Sequence, residues 1–220
     1  MSQTITLNKT IQTPLFALQT LATTSSTPPG GRIASSVVDV STKGAALVTC
    51  HIGRTVTTAF TASTSVDVLI QASAKATGDD EWFDLCAFST GAAAVGNTNA
   101  LTSSGGASGT GSSATALTLS ANAAVDYSLA KDLIYFKNST VANGEFHRAI
   151  YASTGGTALI IADDLARVQN SDNLYNGNFE FKAALDLSGV TRLRAIVLNN
   201  SGVSVDLEAF LTTLDSATSA

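Results

Sequence analysis

Residues 39–52 read DVSTKGAALVTCHI and residues 186–200 read DLSGVTRLRAIVLNN. Both begin Asp–aliphatic–Ser, turn through small residues and enter a strongly apolar run. A short Asp or Ser side chain accepts hydrogen bonds from backbone amides two residues on, so Asp39, Ser41, Asp186 and Ser188 suit strand-ending turns. Gly44 and Gly189 ease the same turns at slightly different offsets. The echo therefore predicts two strand–turn–strand corners of one β-architecture.

The surrounding sequence alternates with a period of two, the signature of strands with one dry and one wet face. In SVDVLIQASAK, Val66, Val68, Ile70, Ala72 and Ala74 share one face, against Asp67, Gln71, Ser73 and Lys75. In FEFKAALDL, Phe179, Phe181, Ala183, Leu185 and Leu187 oppose Glu180, Lys182 and Asp186. In VSVDLEAFL, Val203, Val205, Leu207, Ala209 and Leu211 oppose Ser204, Asp206 and Glu208. A slip of one residue would turn each face inside out, so the registers are well specified. No helix of three turns is visible. TALIIADDLARV (157–168) reads as a strand, a turn and at most one helical turn.

Strands joined by Gly, Asn and Ser turns predict an all-β fold, an antiparallel β-sandwich of jelly-roll-like form. Residues 126–177 contain four short strand-like runs separated by NSTVANGE, STGG and ADD, and read as an inserted small β-barrel-like module. The expected organisation is an N-terminal arm (1–23), a discontinuous sandwich (24–125 plus 178–220) and the insert (126–177). The first 23 residues alternate roughly and contain Pro14, which edge strands tolerate. They read as an extended arm that adds to a sheet edge, or as a first strand of the same domain. The Gly- and Ser-rich stretch 102–114 reads as an exposed flexible loop, or as one ordered by a partner.

The chain has 220 residues, enough to bury a core without covalent staples. Charged residues make up 13%, about half the usual share, and Thr, Ser, Ala, Gly and Asn fill the gap. Such a neutral polar surface is easily desolvated and suits extensive contact with other protein. The net charge of −5, with no block of Lys or Arg, speaks against direct nucleic-acid binding. No run of about 18 apolar residues is present to span a membrane. The N-terminus lacks the basic-then-apolar pattern of a secretory leader.

Chemistry-bearing residues are few. Cys50 and Cys86 sit in apolar runs and read as buried thiols, with one disulfide as the alternative. His51 follows Cys50 directly, so on a strand the two face opposite ways and cannot form a nucleophile–base pair. His147 and Glu145 share a strand face but supply only two ligands where a metal needs three or four. The acidic clusters at 79–81 and 162–164 fall in turns. GGASGTGSS lacks the lysine and helix of a phosphate loop. Trp82 reads as a buried anchor. The sequons at Asn8, Asn138 and Asn199 matter only on a secretory route. No catalytic, cofactor-binding or metal-binding residue is therefore assigned, and a non-enzymatic role is expected.

Four stretches together resemble a family of small bacteriophage virion proteins. They are VVDVSTKGAALVTCHIGR (37–54), VDVLIQASAKATGDDEWFDLCAFSTG (66–91), NGEFHRAIYASTGGTALIIADDL (143–165) and FEFKAALDLSGVTRLRAIVLNNSG (179–202). The likeness rests on the order of elements and on turn chemistry. It is to capsid decoration, or cement, proteins of tailed phages and related structural components. It implies a protein that binds the major capsid protein on the outer surface of the head, often as a homotrimer. It also implies assembly in the host cytoplasm and a place on the virion, with no cofactor. A tail, fibre or baseplate component touching the host surface is the other role within the same resemblance. These readings direct attention to the arm, the loops and the sheet edges.

Overall fold

The computed structural model describes residues 13–23, 31–60, 64–78, 81–93, 98–103, 116–123, 127, 133–166 and 171–215. The stretch 104–115, which holds most of the expected Gly/Ser loop, lies outside these residues, as do residues 1–12 of the expected arm.

Two sheets share one core. The first runs in the order β1 (Thr13–Leu21), β15 (Val205–Asp215), β4 (Lys43–Arg54), β13 (Phe179–Asp186). The second runs β2 (Gly31–Ala34), β14 (Arg192–Asn199), β5 (Val66–Ser73), β6 (Phe83–Ser89), and β3 (Val38–Asp39) also pairs with β14. The inward residues are those the alternation selects. Val48, Cys50, Ile52, Leu207, Ala209 and Leu211 meet Val66, Val68, Ile70, Ala72, Leu193, Ala195 and Val197, all fully buried. Phe179, Phe181 and Ala183 pack against the same core at its side.

The two Asp–aliphatic–Ser phrases are the corners at which the chain changes sheet. One leads from β3 to β4 and the other from β13 to β14. Asp39 Oδ1 accepts the Ser41 amide at 2.9 Å, and Asp186 Oδ1 accepts the Ser188 amide at 2.9 Å. That backbone donor is the main reason each carboxyl titrates below its ordinary range. Gly189 adopts a φ of +77°, open to glycine at little cost. The corners also bond each other: Val40 N–H donates to Thr191 O at 2.8 Å, and Leu187 N–H donates to Gly44 O at 3.1 Å. The aliphatic residue of each phrase, Val40 or Leu187, is buried beneath its own corner.

The remaining strands close into a six-stranded barrel in the order β10 (Glu145–Ala152), β11 (Ala158–Ile161), β8 (Ala116–Leu119), β7 (Thr98–Ser103), β12 (Asn173–Tyr175), β9 (Leu133–Lys137). Its separate core holds Leu101, Leu117, Leu119, Ile134, Phe136, Leu159, Ile161 and Leu174. The barrel therefore takes in β7 and β8, which precede residue 126, and the sandwich ends before Thr98 rather than at 125. The sequence hid this because each of these strands shows only one or two inward leucines, separated by the Gly/Ser stretch. The expected arm 1–23 also overlaps a strand of the first sheet. Residues 13–21 are a core-bearing strand, with Leu15, Phe16 and Leu21 buried.

Replacing Leu187, 1% exposed, by Ala removes a plug shared by both sheets at a corner. We expect a loss of about 2–5 kcal/mol in urea unfolding. The same change at Leu47, 42% exposed, is expected to cost no more than about 0.5 kcal/mol.

Candidate functional site at the sandwich–barrel junction

The outer face of the first sheet does two things. Near the Arg54 end of β4 it carries the barrel; toward the Lys43 end no described strand covers it. The switch occurs at Gly53, whose missing side chain makes the seat. A Cβ there would come within 2.7 Å of the Tyr135 ring and 3.0 Å of Phe146. Tyr135 and Phe146 pack at 4.6 Å between ring centres, and the His51 ring lies 5.0 Å from Phe146.

Asp206 sits beneath this aromatic lid with no exposed surface. Its Oδ2 accepts the Tyr135 hydroxyl at 2.7 Å, its Oδ1 accepts the Thr20 hydroxyl at 2.6 Å, and Lys137 Nζ lies 3.6 Å away. One carboxylate thus ties β15, β1 and β9 together. Burial first, and the Asp206 charge second, push the Tyr135 phenol well above its ordinary range. A buried carboxylate needs such donors, because desolvation otherwise makes it costly. The alternation placed Asp206 on the wet face, and it does point outward from the sheet. What covers it is a barrel strand about 70 residues earlier in the chain.

A second cluster lies one row down. His51 Nδ1 meets Glu208 Oε1 at 2.8 Å, and His51 Nε2 meets Glu180 Oε1 at 3.2 Å. Glu180 also pairs with Lys182 at 2.9 Å and with Arg148, which reaches down from barrel strand β10. Burial pushes the Glu180 carboxyl up, but the Lys182, His51 and Arg148 partners outweigh it and hold it below the usual range.

The connection from β12 to β13 is latched as well. Asn178 Nδ2 donates to Leu133 O at 2.6 Å and Tyr175 O at 2.7 Å, and its Oδ1 accepts the Arg54 amide at 2.8 Å. Arg54 donates from Nε to Gly177 O at 2.9 Å and lies over the Phe60 ring at 4.7 Å. A cleft of about 320 Å³ opens here, lined by Leu133, Arg148, Gly177, Asn178, Phe179, Glu180 and Phe181.

These groups hold two bodies together. Both nitrogens of His51 face carboxylates. Cys50 points the other way into the core, as the strand geometry requires, and burial pushes its thiol up to about 12. Cys50 and Cys86 are both free. Glu145 and His147 do meet, at 3.0 Å, inside the barrel, where Glu145 also accepts the Ala166 amide. Among the described residues no three His, Cys, Asp or Glu side chains converge as a metal site. Asp163 and Asp164 are exposed beyond β11. Glu81 pairs with Lys75, and residues 79–80 lie outside the described part.

Trp82 departs from the sequence reading. It is half-buried on the outer face of the second sheet, not in the core, under Arg194 at 4.1 Å and Arg192 at 5.0 Å. Phe83 beside it is 47% exposed. Two sequon asparagines are consumed by the fold: Asn138 Nδ2 donates to Asp172, and Asn199 Nδ2 donates to Leu21 O and Val203 O. Asn8 lies outside the described residues.

The junction is the arrangement the sequence left unassigned. Its members are spread over β1, β4, β9, β10, β13 and β15, and the one local sign was a glycine, Gly53, inside an otherwise apolar strand.

No protein-family model matches the chain, and no curated protein matches it. Among solved structures, VP17, a capsid protein of bacteriophage P23-77, aligns over 98% of this chain and 100% of its own, at 5% identity and a TM-score of 0.18. A likeness that low carries no argument about fold or role.

The Glu180 cluster makes an acid dependence measurable. Its folded carboxyl titrates below the unfolded value, so its stabilisation is present above about pH 4.5 and lost as pH falls through the folded value. Urea midpoints should therefore drop on acidification below pH 4.5, and Glu180→Gln should flatten that part of the profile.

Proposed function

We propose that this chain is a non-enzymatic structural component of a phage virion, and most specifically a capsid decoration protein. In this reading it binds the major capsid protein lattice on the outer surface of the head and acts as a homotrimer. The resemblance of four sequence stretches to that family motivates it. One observation in the fold supports it: below the barrel no described strand covers the outer face of the first sheet, and its β4 and β15 positions there are neutral between charged margins on β13 and at Lys43 and Asp215. Ala45, Leu47, Thr49, Ala184, Phe210, Thr212 and Leu214 present their side chains there. Leu47 is 42% exposed and Leu214 40% exposed. Its charges lie mainly at the margin, where Lys43 pairs with Asp215 and Lys182 with Glu180.

A face of Ala, Thr, Leu and Phe is desolvated at small cost, which suits a broad contact. On a shell the same contact recurs at every lattice position, so a modest affinity per site holds through multivalency once copies are joined. The barrel, tied to the other end of the same face, then stands beside the contact.

Co-sedimentation with undecorated phage shells tests this. Binding is expected for the parent protein, and Leu47→Lys with Leu214→Lys should weaken it by about tenfold or more, since each places an unpaired charge in an apolar contact. Both residues are exposed, so the fold should survive. Failure of the parent protein to bind shells, with binding to tails or host cells instead, would favour a tail, fibre or baseplate role.

A further inference from the structure

Every open sheet has two edges, and an unguarded edge invites another strand. Native proteins blunt edges with short strands, proline, bulges or charged side chains, lysine above all. Three of the four sandwich edges here are blunted. Edge strand β1 contains Pro14 and two register shifts, at Pro14/Phe16 and Phe16/Gln19. The β2/β3 edge is broken into pieces of four and two residues. Strand β6 carries a register shift opposite Ile70/Gln71.

The fourth edge, β13, has only the last of these devices. Its eight residues pair with β4 in one unbroken register from Phe179↔Ile52 to Asp186↔Ala45, and it contains neither proline nor glycine. Its guard is Lys182, which is tied to Glu180 on the outer face. The direction of its backbone groups follows from the corner. Leu187 N–H bonds Gly44 O, continuing the β13–β4 register, so the odd-numbered residues address β4. In an antiparallel ladder the intervening residues point the other way. The amides and carbonyls of Glu180, Lys182, Ala184 and Asp186 thus face a side on which, among the described residues, no strand pairs. At the start of that edge lies the junction cleft, floored by Phe179 and Phe181. Free main-chain groups beside a side-chain pocket are the two parts of a strand-addition site.

We propose that the β13 edge is completed by a strand from a second copy of this chain, supplied by residues 4–11. That segment reads TITLNKTI. It matches β13 in length and alternates Ile5, Leu7 and Ile11, with Lys9 between the last two, against Thr4, Thr6, Asn8 and Thr10. Lys9 is the single charge in residues 1–12, against Glu180, Asp186 and Lys182 on β13. The segment precedes β1, and β1 is the opposite edge of the same sheet, three strand spacings or about 14 Å from β13. A segment running outward from β1 therefore extends the sheet of one copy onto β13 of the copy beside it. The two surfaces differ, so the contact is head-to-tail, and the trimer of the proposed function is the case in which its rotation closes into a ring. This specifies the self-association in the proposed function, yet it rests on the edge geometry and is tested without any shell.

The test uses the purified full-length chain in light scattering coupled to gel filtration, with thermal melting as the folding control. The parent is expected to be a closed oligomer. Ala184→Pro removes an outward amide, leaves the bonds to β4 in place and should weaken association by about tenfold or more. Ile5→Asp with Leu7→Asp should do the same from the other side of the contact, without touching β13. In Leu7→Cys with Ala184→Cys, oxidation should link different chains. A monomeric parent, unchanged mass in the first two variants, or a crosslink confined within one chain would overturn the proposal. Shell binding that persists in a dissociated variant would separate its role from that of the sheet face.

Discussion

The fold depends on a reciprocal pair of backbone hydrogen bonds. Val40 donates to Thr191, and Leu187 donates to Gly44. Each links one sheet-changing corner to the other, so the chain crosses between layers twice at one place. With the corners joined, the β4–β13 and β3–β14 registers are set together, and the aliphatic alternation of each strand falls toward a common core. The aspartates prepare each corner by binding their own Ser41 or Ser188 amide, which spares that group an unpaired state. A phrase written twice thus yields a pair of contacts that neither copy can make alone.

The barrel is the second consequence. Once β13 and β15 flank β4, their outward residues bring Glu180, His51 and Glu208 into one row and place Asp206 beside Gly53. The barrel then settles where a backbone without a side chain admits Tyr135, and its buried polar atoms find partners there. What joins the two bodies is an interlocked set of polar contacts around a small aromatic lid. Tyr135, Thr20 and Lys137 meet Asp206 in that set, and Glu208, Glu180 and Arg148 gather around His51, so the junction fixes the barrel against the sheet.

Much of this was legible in the sequence. The alternating apolar faces of β5, β13 and β15 fell as their patterns indicate, though Ser73 on the polar side of β5 is fully buried, and the Asp–aliphatic–Ser phrases announced the corners. The opposition of Cys50 and His51 followed from strand geometry alone. Ala74 did not follow its face, because β5 ends at Ser73 and Ala74 is exposed. What escaped was long-range. Asp206 looks wet in its own strand, and only a barrel strand from elsewhere in the chain buries it. Strands β7 and β8 carry too few apolar residues to announce a barrel, since a closed sheet needs only one inward side chain every second residue. Trp82 and Phe83 would oppose each other on a regular strand, which points to one of them as core, but β6 starts only at Phe83 and two arginines on β14 cover Trp82 at the surface. The junction was invisible as a unit because six strands build it.

The central claim is that this sandwich, with its barrel tied to one end of a neutral sheet face, is a surface component of a phage head. A density map of the intact particle, reconstructed with the symmetry of the head, tests it most directly. The account predicts density matching the two-sheet body and its six-stranded barrel at repeated positions over the outer shell, with neighbouring copies in contact. A head bare of that density, or the fold found only at the tail, would contradict it.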